Sequence, residues 1–194
     1  MNKLRFILAA VALAAFTATA GAQSLPASSQ SYEFLKAVRD RDGNKVTDLL
    51  GSGNFINMKS ADGDTALNIV LGRQDVDWTA FFLSKGADPN LPGKGGDTPL
   101  IVAARVGFAD AVDTLLKAGA HVDATNRMGE TALIVAVQQR QVPIVRSLLN
   151  AGADPDKTDN AAGYSARDYA ARDNRSRQLL QMIEAKKPRA SAAR

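Results

Sequence analysis

Residues able to do catalytic chemistry are scarce in this chain. It has one histidine, His121, and no cysteine, and no serine lies within the G-x-S-x-G pattern of a nucleophile elbow. His121 occupies the place that Asp88 and Asp154 occupy 33 residues earlier and later, in a stretch typical of a loop. A lone loop histidine is expected to be solvated, and the sequence offers no nucleophile with a base and no histidine–cysteine set that suits a metal. The residues therefore predict a protein that is not an enzyme.

Two further stretches match ligand-binding patterns only in part. Asp154, Asp156 and Asp159 have the oxygen chemistry of a calcium loop. The sixth and twelfth positions of such a loop would be Asp159 and Ser165, not the required glycine and glutamate. Residues 93–98 are rich in glycine like a phosphate loop but lack the G-x-x-x-x-G-K-[ST] order. We expect turns at both places, and neither a cofactor nor a metal.

Charge along the chain argues against a nucleic-acid-binding surface. The sequence has 24 basic and 20 acidic residues, and two of the basic ones, Lys3 and Arg5, lie at the N-terminus. Four more lie in the last ten residues, which leaves 18 basic and 20 acidic residues in the body. Binding to phosphates requires a basic face, so no nucleic acid partner is expected. Residues 187–194 are typical of a basic disordered tail, whose charge favours anionic lipid or an acidic partner.

The first 22 residues have the three parts of a secretory signal peptide. Lys3 and Arg5 supply the positive start, residues 6–16 form an unbroken apolar run, and small residues follow. This run is shorter than the ~20 residues of a membrane-spanning helix, so we expect cleavage, after Ala22 or Ala20, rather than an uncleaved anchor. The sequence thus predicts an exported, periplasmic protein without disulfides, in which residues 23–31 form a flexible linker.

Two short motifs recur with the same period of 33 residues. Glycine, an acidic residue, threonine, alanine or proline, and leucine recur in this order, with the threonine at Thr65, Thr98 and Thr131. A weaker copy follows at residues 163–167, with Ser165 lying 34 residues after the last threonine. A second motif, Gly-Ala followed by Asp or His, recurs out of phase, with its glycine at Gly86, Gly119 and Gly152. Two motifs with one period indicate a stack of repeated units.

This pattern resembles the ankyrin repeat, whose 33-residue unit has a T-P-L-H-x-A motif and an L-L-x-x-G-A-D ending. The resemblance covers residues 32–186. It implies an all-α solenoid of about five helix–turn–helix units with β-hairpin-like loops. Threonines would cap the first helices, Pro99 suits a first turn, and the glycines would end the second helices. The expected units, of which the first and last are caps, are residues 32–58, 60–92, 93–125, 126–158 and 159–186.

The chain departs from the family pattern at several core positions. Asn68, Ile101 and Ile134 stand where the family has histidine, so hydrogen bonding between repeats is expected to be reduced or replaced. In the last unit Arg167 replaces a core leucine, and one extra residue lies within residues 160–163. These changes suit an end unit whose outer face meets water.

One second helix carries an aromatic group. Trp78 and Phe82 fall at core positions of the repeat, where packing explains them. Phe81 falls at a position that should be more exposed. An exposed aromatic ring is a candidate anchor for a partner, although single exposed apolar side chains are also common on protein surfaces.

In the ankyrin family, partners generally dock on the concave face formed by hairpin tips and first helices. The resemblance therefore implies a protein–protein interaction module, which we expect to be a monomeric periplasmic scaffold, adaptor or accessory protein without a small-molecule substrate. An immunity-type inhibitor of a toxin in the same compartment is an alternative, as is a ligand- or metal-binding protein. The residues predicted to bind the partner vary between units while core positions stay fixed; they are Asp62, Asp64, Arg73, Lys94, Asp97, Arg105, Arg127, Met128, Glu130, Gln138, Gln139, Tyr164 and Arg172.

Overall fold

The fold is a stack of helix pairs. The computed structural model describes residues 27–53 and 55–185, so the predicted signal peptide (1–22) and basic tail (187–194) lie outside the described residues. No helix in the described ranges is long and apolar enough to cross a membrane. The ten α-helices of these ranges are α1 Ala27–Asp40, α2 Gly43–Ser52, α3 Ala66–Gly72, α4 Val76–Ser84, α5 Pro99–Val106, α6 Ala109–Lys117, α7 Ala132–Gln138, α8 Val142–Asn150, α9 Ala166–Arg172 and α10 Arg177–Glu184.

The first helix is longer than the sequence suggested. Helix α1 begins at Ala27, inside the segment 23–31 that was predicted to be a flexible linker, and Ser31 is 5% exposed. The serine-rich composition favoured a linker, but the residues after Pro26 contain no glycine or proline that would stop a helix. Phe34 and Leu35, further along the same helix, are buried in the core and hold it on the stack.

Hydroxyl side chains start the first helices of the repeats. In each of three repeats a threonine Oγ1 accepts a backbone N–H of the first helical turn and so replaces a missing intrahelical partner. The weaker fourth copy uses a capping box, in which Ser165 and Asp168 each accept a hydrogen bond from the other's backbone N–H. The N···Oγ1 distances are 3.1 Å for Asn68–Thr65, 3.3 Å for Ile101–Thr98 and 3.2 Å for Ile134–Thr131.

Left-handed residues end the helices, as expected. Gly86, Gly119 and Gly152 follow the second helices with φ of 87°, 90° and 87°, a backbone conformation that glycine adopts without strain. The residue that joins the two helices of a pair is also left-handed, and there only one of four is glycine. These joining residues lie 33 positions apart, with φ values of 60° at Arg41, 56° at Gln74, 77° at Gly107 and 55° at Arg140.

The core lies between the two layers of helices and runs through the whole stack. Leu133 and Leu148, on the first and second helices of one unit, are both 0% exposed. First helices pack on first helices of the neighbouring units, and second helices pack on second helices. The first helices approach each other more closely, which curves the stack toward their side. Small side chains such as Ala103 and Ala136, both 0% exposed, allow that approach.

The aromatic group of α4 is packed less simply than predicted. Phe82 is 0% exposed, as its repeat position indicated. Trp78 was expected in the core but is only partly buried, because its ring lies at the edge of the stack over Gly43. Phe81 was expected to be more exposed, yet it is also partly buried, with its ring 5.2 Å from that of Trp78. These rings therefore stabilise the N-terminal end of the stack.

A polar residue replaces the family's histidine in one repeat only. Ile101 and Ile134 are 0% exposed and replace the hydrogen bond with apolar packing. Asn68 is buried and donates through Nδ2 to the Asp97 carbonyl of the next hairpin at 3.4 Å, while its Oδ1 has no partner within the described residues. Gly93 is required beside it, because a Cβ there would lie 2.1 Å from Asn68 Nδ2.

Four hairpins precede the first helices α3, α5, α7 and α9. In three of them a backbone N–H donates to the carbonyl four residues later. The fourth hairpin, in which Asp159 donates to Tyr164, spans one residue more and holds the insertion within residues 160–163. The N···O distances are 2.8 Å for Ser60–Asp64, 2.8 Å for Gly93–Asp97, 3.1 Å for Asn126–Glu130 and 3.0 Å for Asp159–Tyr164.

Side chains at a 33-residue spacing join the loops that follow the second helices. Asn57 accepts the backbone N–H of Asp88 at 2.8 Å, and Asn90 accepts that of His121 at 2.7 Å. Asp123 continues the series by accepting the N–H of Asp154 at 2.8 Å. Each residue links its own repeat to the next, so part of the hydrogen bonding lost with the family's histidine is supplied here.

Candidate functional site

The concave face consists of the four hairpins (residues 59–65, 93–98, 126–131 and 159–165) and the outward side of the first helices. Most of the thirteen residues predicted to bind a partner lie here with accessible side chains. Asp64, Arg73, Asp97 and Tyr164 are half-buried, and Glu130 is buried at 9% exposure. The exposed members are Asp62, Lys94, Arg105, Arg127, Met128, Gln138, Gln139 and Arg172.

Four of the polar residues on this face form one network across two repeats. Arg105 Nε and Nη2 donate to the two carboxylate oxygens of Asp97, each at 3.1 Å. Arg105 Nη2 also donates to Glu130 Oε2 at 3.3 Å. Asn126 Nδ2 donates to both acids at 2.8 Å. The network joins helix α5 to two successive hairpins, so it fixes the shape of the middle of the concave face.

This network removes two predicted residues from the free surface. Glu130 varies between repeats, as a binding residue would, but it is buried and its charge is matched by Arg105. Asp97 is held in the same way. Burial opposes the charge of Arg105, yet the hydrogen bonds and charges of Asp97 and Glu130 outweigh it and raise the pKa of the guanidinium. The prediction that Glu130 contacts a partner is therefore wrong, because a buried carboxylate needs its partners within the fold.

Arg73 also has a structural contact that its repeat position did not reveal. Its Nη1 donates to the carbonyls of Val38 at 2.8 Å and Arg39 at 3.1 Å, at the end of α1. These carbonyls have no partner within the helix, so a cation there stabilises the helix end. Burial, with the nearby charge of Arg41, lowers the pKa of Arg73. Arg73 thus ties the first unit to the second.

The third hairpin, residues 126–131, presents two free side chains on a fixed backbone. Asn126 Oδ1 accepts the N–H of Met128 at 3.0 Å, and the Met128 carbonyl accepts the N–H of Asn160 at 2.8 Å. The Arg127 N–H donates to the Gly95 carbonyl at 3.3 Å. The Met128 side chain is nevertheless 50% exposed, and that of Arg127 is exposed without an ion pair in the described ranges. Fold stability does not require either side chain.

The C-terminal part of the face brings together two predicted residues. Arg172 lies over the ring of Tyr164, with its guanidinium carbon 4.4 Å from the ring centroid. Tyr164 in turn meets Tyr169 edge to face at 5.6 Å. Tyr169 donates to Asp159 Oδ2 at 2.6 Å, and Asp159 Oδ1 accepts three backbone N–H groups of the last hairpin. Tyr164 is therefore a half-buried anchor on a rigid hairpin.

The comparison with protein families agrees with this geometry. A family model described as ankyrin repeats (3 copies) matches residues 34–126 and 79–159. The chain belongs to the ankyrin-repeat family. Ankyrin repeats are generally protein–protein interaction modules and are typically not enzymes. No curated protein matches the chain.

The acidic loop of the fourth ankyrin unit makes turns. Asp154 Oδ1 accepts the N–H of Asp156 at 2.9 Å, and Asp156 pairs with Arg167 at 2.6 Å. Asp159 is occupied by the last hairpin and Tyr169. The three carboxylates thus serve three different contacts, and the residues that the structure describes contain no group of three or more potential metal ligands.

The repeat pattern missed an apolar groove in the first ankyrin unit. Tyr32, Leu35 and Met58 line it, together with residues of the first hairpin. The spacing of Tyr32, Leu35 and Arg39 along one face of α1 was the available signal. It was overlooked because Tyr32 lies at the border of a segment interpreted as a linker.

Proposed function

We propose that this ankyrin protein is a periplasmic adaptor or accessory protein that binds one partner protein through its concave face. The observation that carries the proposal is the third hairpin. Arg127 and Met128 project from a backbone that four hydrogen bonds hold, and no packing within the stack uses their side chains. Methionine and arginine are enriched where proteins meet, so this pair has the chemistry of an interface.

Rigidity of the hairpins supports the same proposal. Binding costs entropy when loops must be ordered, and a loop already fixed in place avoids most of that cost. The network of Asp97, Arg105, Asn126 and Glu130 supplies this order in the middle of the face. Lys94, at the tip of the preceding hairpin, is exposed beside it. A mixed surface with an apolar anchor and flanking cations suits a protein better than a small ligand.

The periplasmic part of the proposal is supported by the sequence. Residues 1–22 have the parts of a cleavable signal peptide, and the chain contains no cysteine that an oxidising compartment would pair. If export and cleavage occur, the mature N-terminus is Gln23, or Gly21 for the earlier cut. Mass spectrometry of the protein from a periplasmic fraction distinguishes these from the uncleaved chain, whose recovery in the cytoplasm would contradict export.

The experiment is an affinity capture from an envelope extract with residues 23–194 as bait. One variant carries Arg127→Glu and Met128→Ala on the third hairpin. A matched control carries Asp113→Arg and Val76→Ala, which make the same kinds of change on exposed positions of the second helices. Arg105 is left intact because its loss would disturb the fold.

We expect one protein to be captured by the wild type and the control and lost from the hairpin variant. Equal capture by all three baits would contradict binding at the third hairpin. Loss from the control alone would place the interface on the second helices instead. Both variants should have wild-type circular dichroism, so that a loss of capture reports on contact rather than on folding.

A further inference from the structure

The first unit contains an apolar groove beside its hairpin. Its volume is about 490 Å³, and Leu35, which is 1% exposed, forms the base. Tyr32 and Met58 stand at its sides with 62% and 38% of their surfaces exposed. They are two of the four large apolar side chains that are exposed in the described ranges. Two such side chains at one groove leave an apolar surface that no part of this stack covers.

The rim of the groove is positively charged. Arg39 and Lys59 line it with one acid, Asp62. Neither cation forms an ion pair with any described residue, whereas Lys36 on the same helix pairs with Asp40 at 2.7 Å. A cation without a counter-charge beside an apolar groove attracts carboxylates of a partner.

The charge of the groove continues along the concave face. Lys94 and Arg127, at the tips of the next two hairpins, also lack ion pairs in the part of the chain that the structure describes. The acids Asp97 and Glu130 are held by Arg105. From the first unit to the third hairpin the available charges are thus mainly cationic, although the body as a whole has slightly more acids than bases.

We infer that this groove binds an acidic segment of the partner protein that carries one large apolar side chain. The apolar side chain lies on Leu35 between Tyr32 and Met58, and flanking carboxylates face Arg39 and Lys59. The inference rests on the proposed function and names the chemistry of the partner. The groove shares the hairpin 59–65 with the concave face, so one partner chain spans both. A basic segment would meet the uncompensated charge of Arg39 and Lys59.

The test uses three synthetic peptides and the folded protein 23–194. The first peptide has one phenylalanine flanked on both sides by aspartates and glutamates. The second has alanine in place of phenylalanine, and the third has lysines in place of the acids. Binding is followed by the NMR signals of the protein, including the Met58 methyl group. The groove variant carries Arg39→Gln, Met58→Ala and Lys59→Gln, and the tip variant carries Lys94→Gln, Arg127→Gln and Met128→Ala.

The first peptide should shift signals around the groove and bind at least about tenfold more tightly than either of the other two. The groove variant should lose about tenfold in affinity for it, while the tip variant should retain it. Equal binding of the lysine peptide, or shifts confined to other parts of the stack, would overturn the inference. So would concentration-dependent dimerisation that protects the Met58 signal, because a second copy would then be the occupant.

The proposed function can fail separately. If a partner is captured through the third hairpin but the groove variant captures it equally well, only the groove inference is wrong. If the acidic peptide binds the groove but no captured protein depends on Arg127 and Met128, the proposed site is wrong and the groove remains. Circular dichroism and melting temperature of both variants verify that each is folded.

Discussion

Arg105 Nη2 lies 3.3 Å from Glu130 Oε2, and the two residues belong to adjacent repeats. Arg105 extends from the first helix of one unit, and Glu130 lies in the hairpin that precedes the first helix of the next. Their contact means that charges which look free in the repeat pattern are used to join repeats. The side chains left for a partner are those next to this pair, above all Arg127 and Met128.

The pair should contribute measurably to stability. Glu130→Ala removes a buried carboxylate together with its partners, whereas Arg105→Ala leaves that carboxylate without its cation. We expect Arg105→Ala to lower the free energy of unfolding by about 1–2 kcal/mol, a value kept small because Arg105 is partly exposed. Urea denaturation of both single variants and the double variant gives the coupling. Fully additive losses would show that the contact contributes nothing.

The core leucines provide a test of the repeat register. Leu133 and Leu148 are 0% exposed, so Leu133→Ala and Leu148→Ala should each cost about 2–5 kcal/mol. Val76→Ala, at a position that is 53% exposed, is the control and should cost less than 1 kcal/mol. Chemical denaturation measures all three. Losses under about 1 kcal/mol at both leucines would mean that these side chains do not form the core.

The last hairpin should give the protein a component of acid sensitivity. Burial alone would raise the pKa of Asp159, but hydrogen bonds from Tyr169 and from backbone N–H groups outweigh it and lower the pKa. A lowered pKa in the folded state stabilises the protein above the unfolded pKa of ~4. That stabilisation is lost as pH falls through the lower folded value.

Asp159→Asn should therefore cost about 1 kcal/mol at neutral pH and reduce the loss of stability between about pH 6 and about pH 3. The variant can fold, because Asn126 holds the preceding hairpin with the same kind of acceptor. Asp62→Asn, at an exposed position, is the control and should leave the pH profile unchanged. Identical profiles for Asp159→Asn and the wild type would contradict the assignment.

The sequence was sufficient for the fold because ankyrin stability depends on contacts that repeat. Thr98 caps its helix, Leu133 fills the core and Gly119 ends a helix for reasons that lie within one or two neighbouring units. The 33-residue period carries these reasons directly. The same period also marked Asn57 and Asn90, but their contacts with the next loop could be recognised only in the structure.

The candidate surface was less predictable, because whether a side chain is free depends on residues far along the chain. Arg73 finds its carbonyl partners 34 and 35 residues earlier, and Glu130 finds Arg105 25 residues earlier. Variation between repeats does not distinguish such residues from free ones. The groove at Tyr32 was missed for a different reason, since a serine-rich helix start was interpreted as a linker.

The central claim is that a partner protein contacts the third hairpin on the concave face. The most direct measurement is photocrosslinking in cells, with benzoyl-phenylalanine in place of Met128 and, in a second strain, in place of Asp113 on the exposed side of α6. The account predicts one discrete adduct of higher mass from position 128 and none from position 113. An adduct from position 113 alone, or no adduct from position 128 when the partner is captured in extracts, would contradict it.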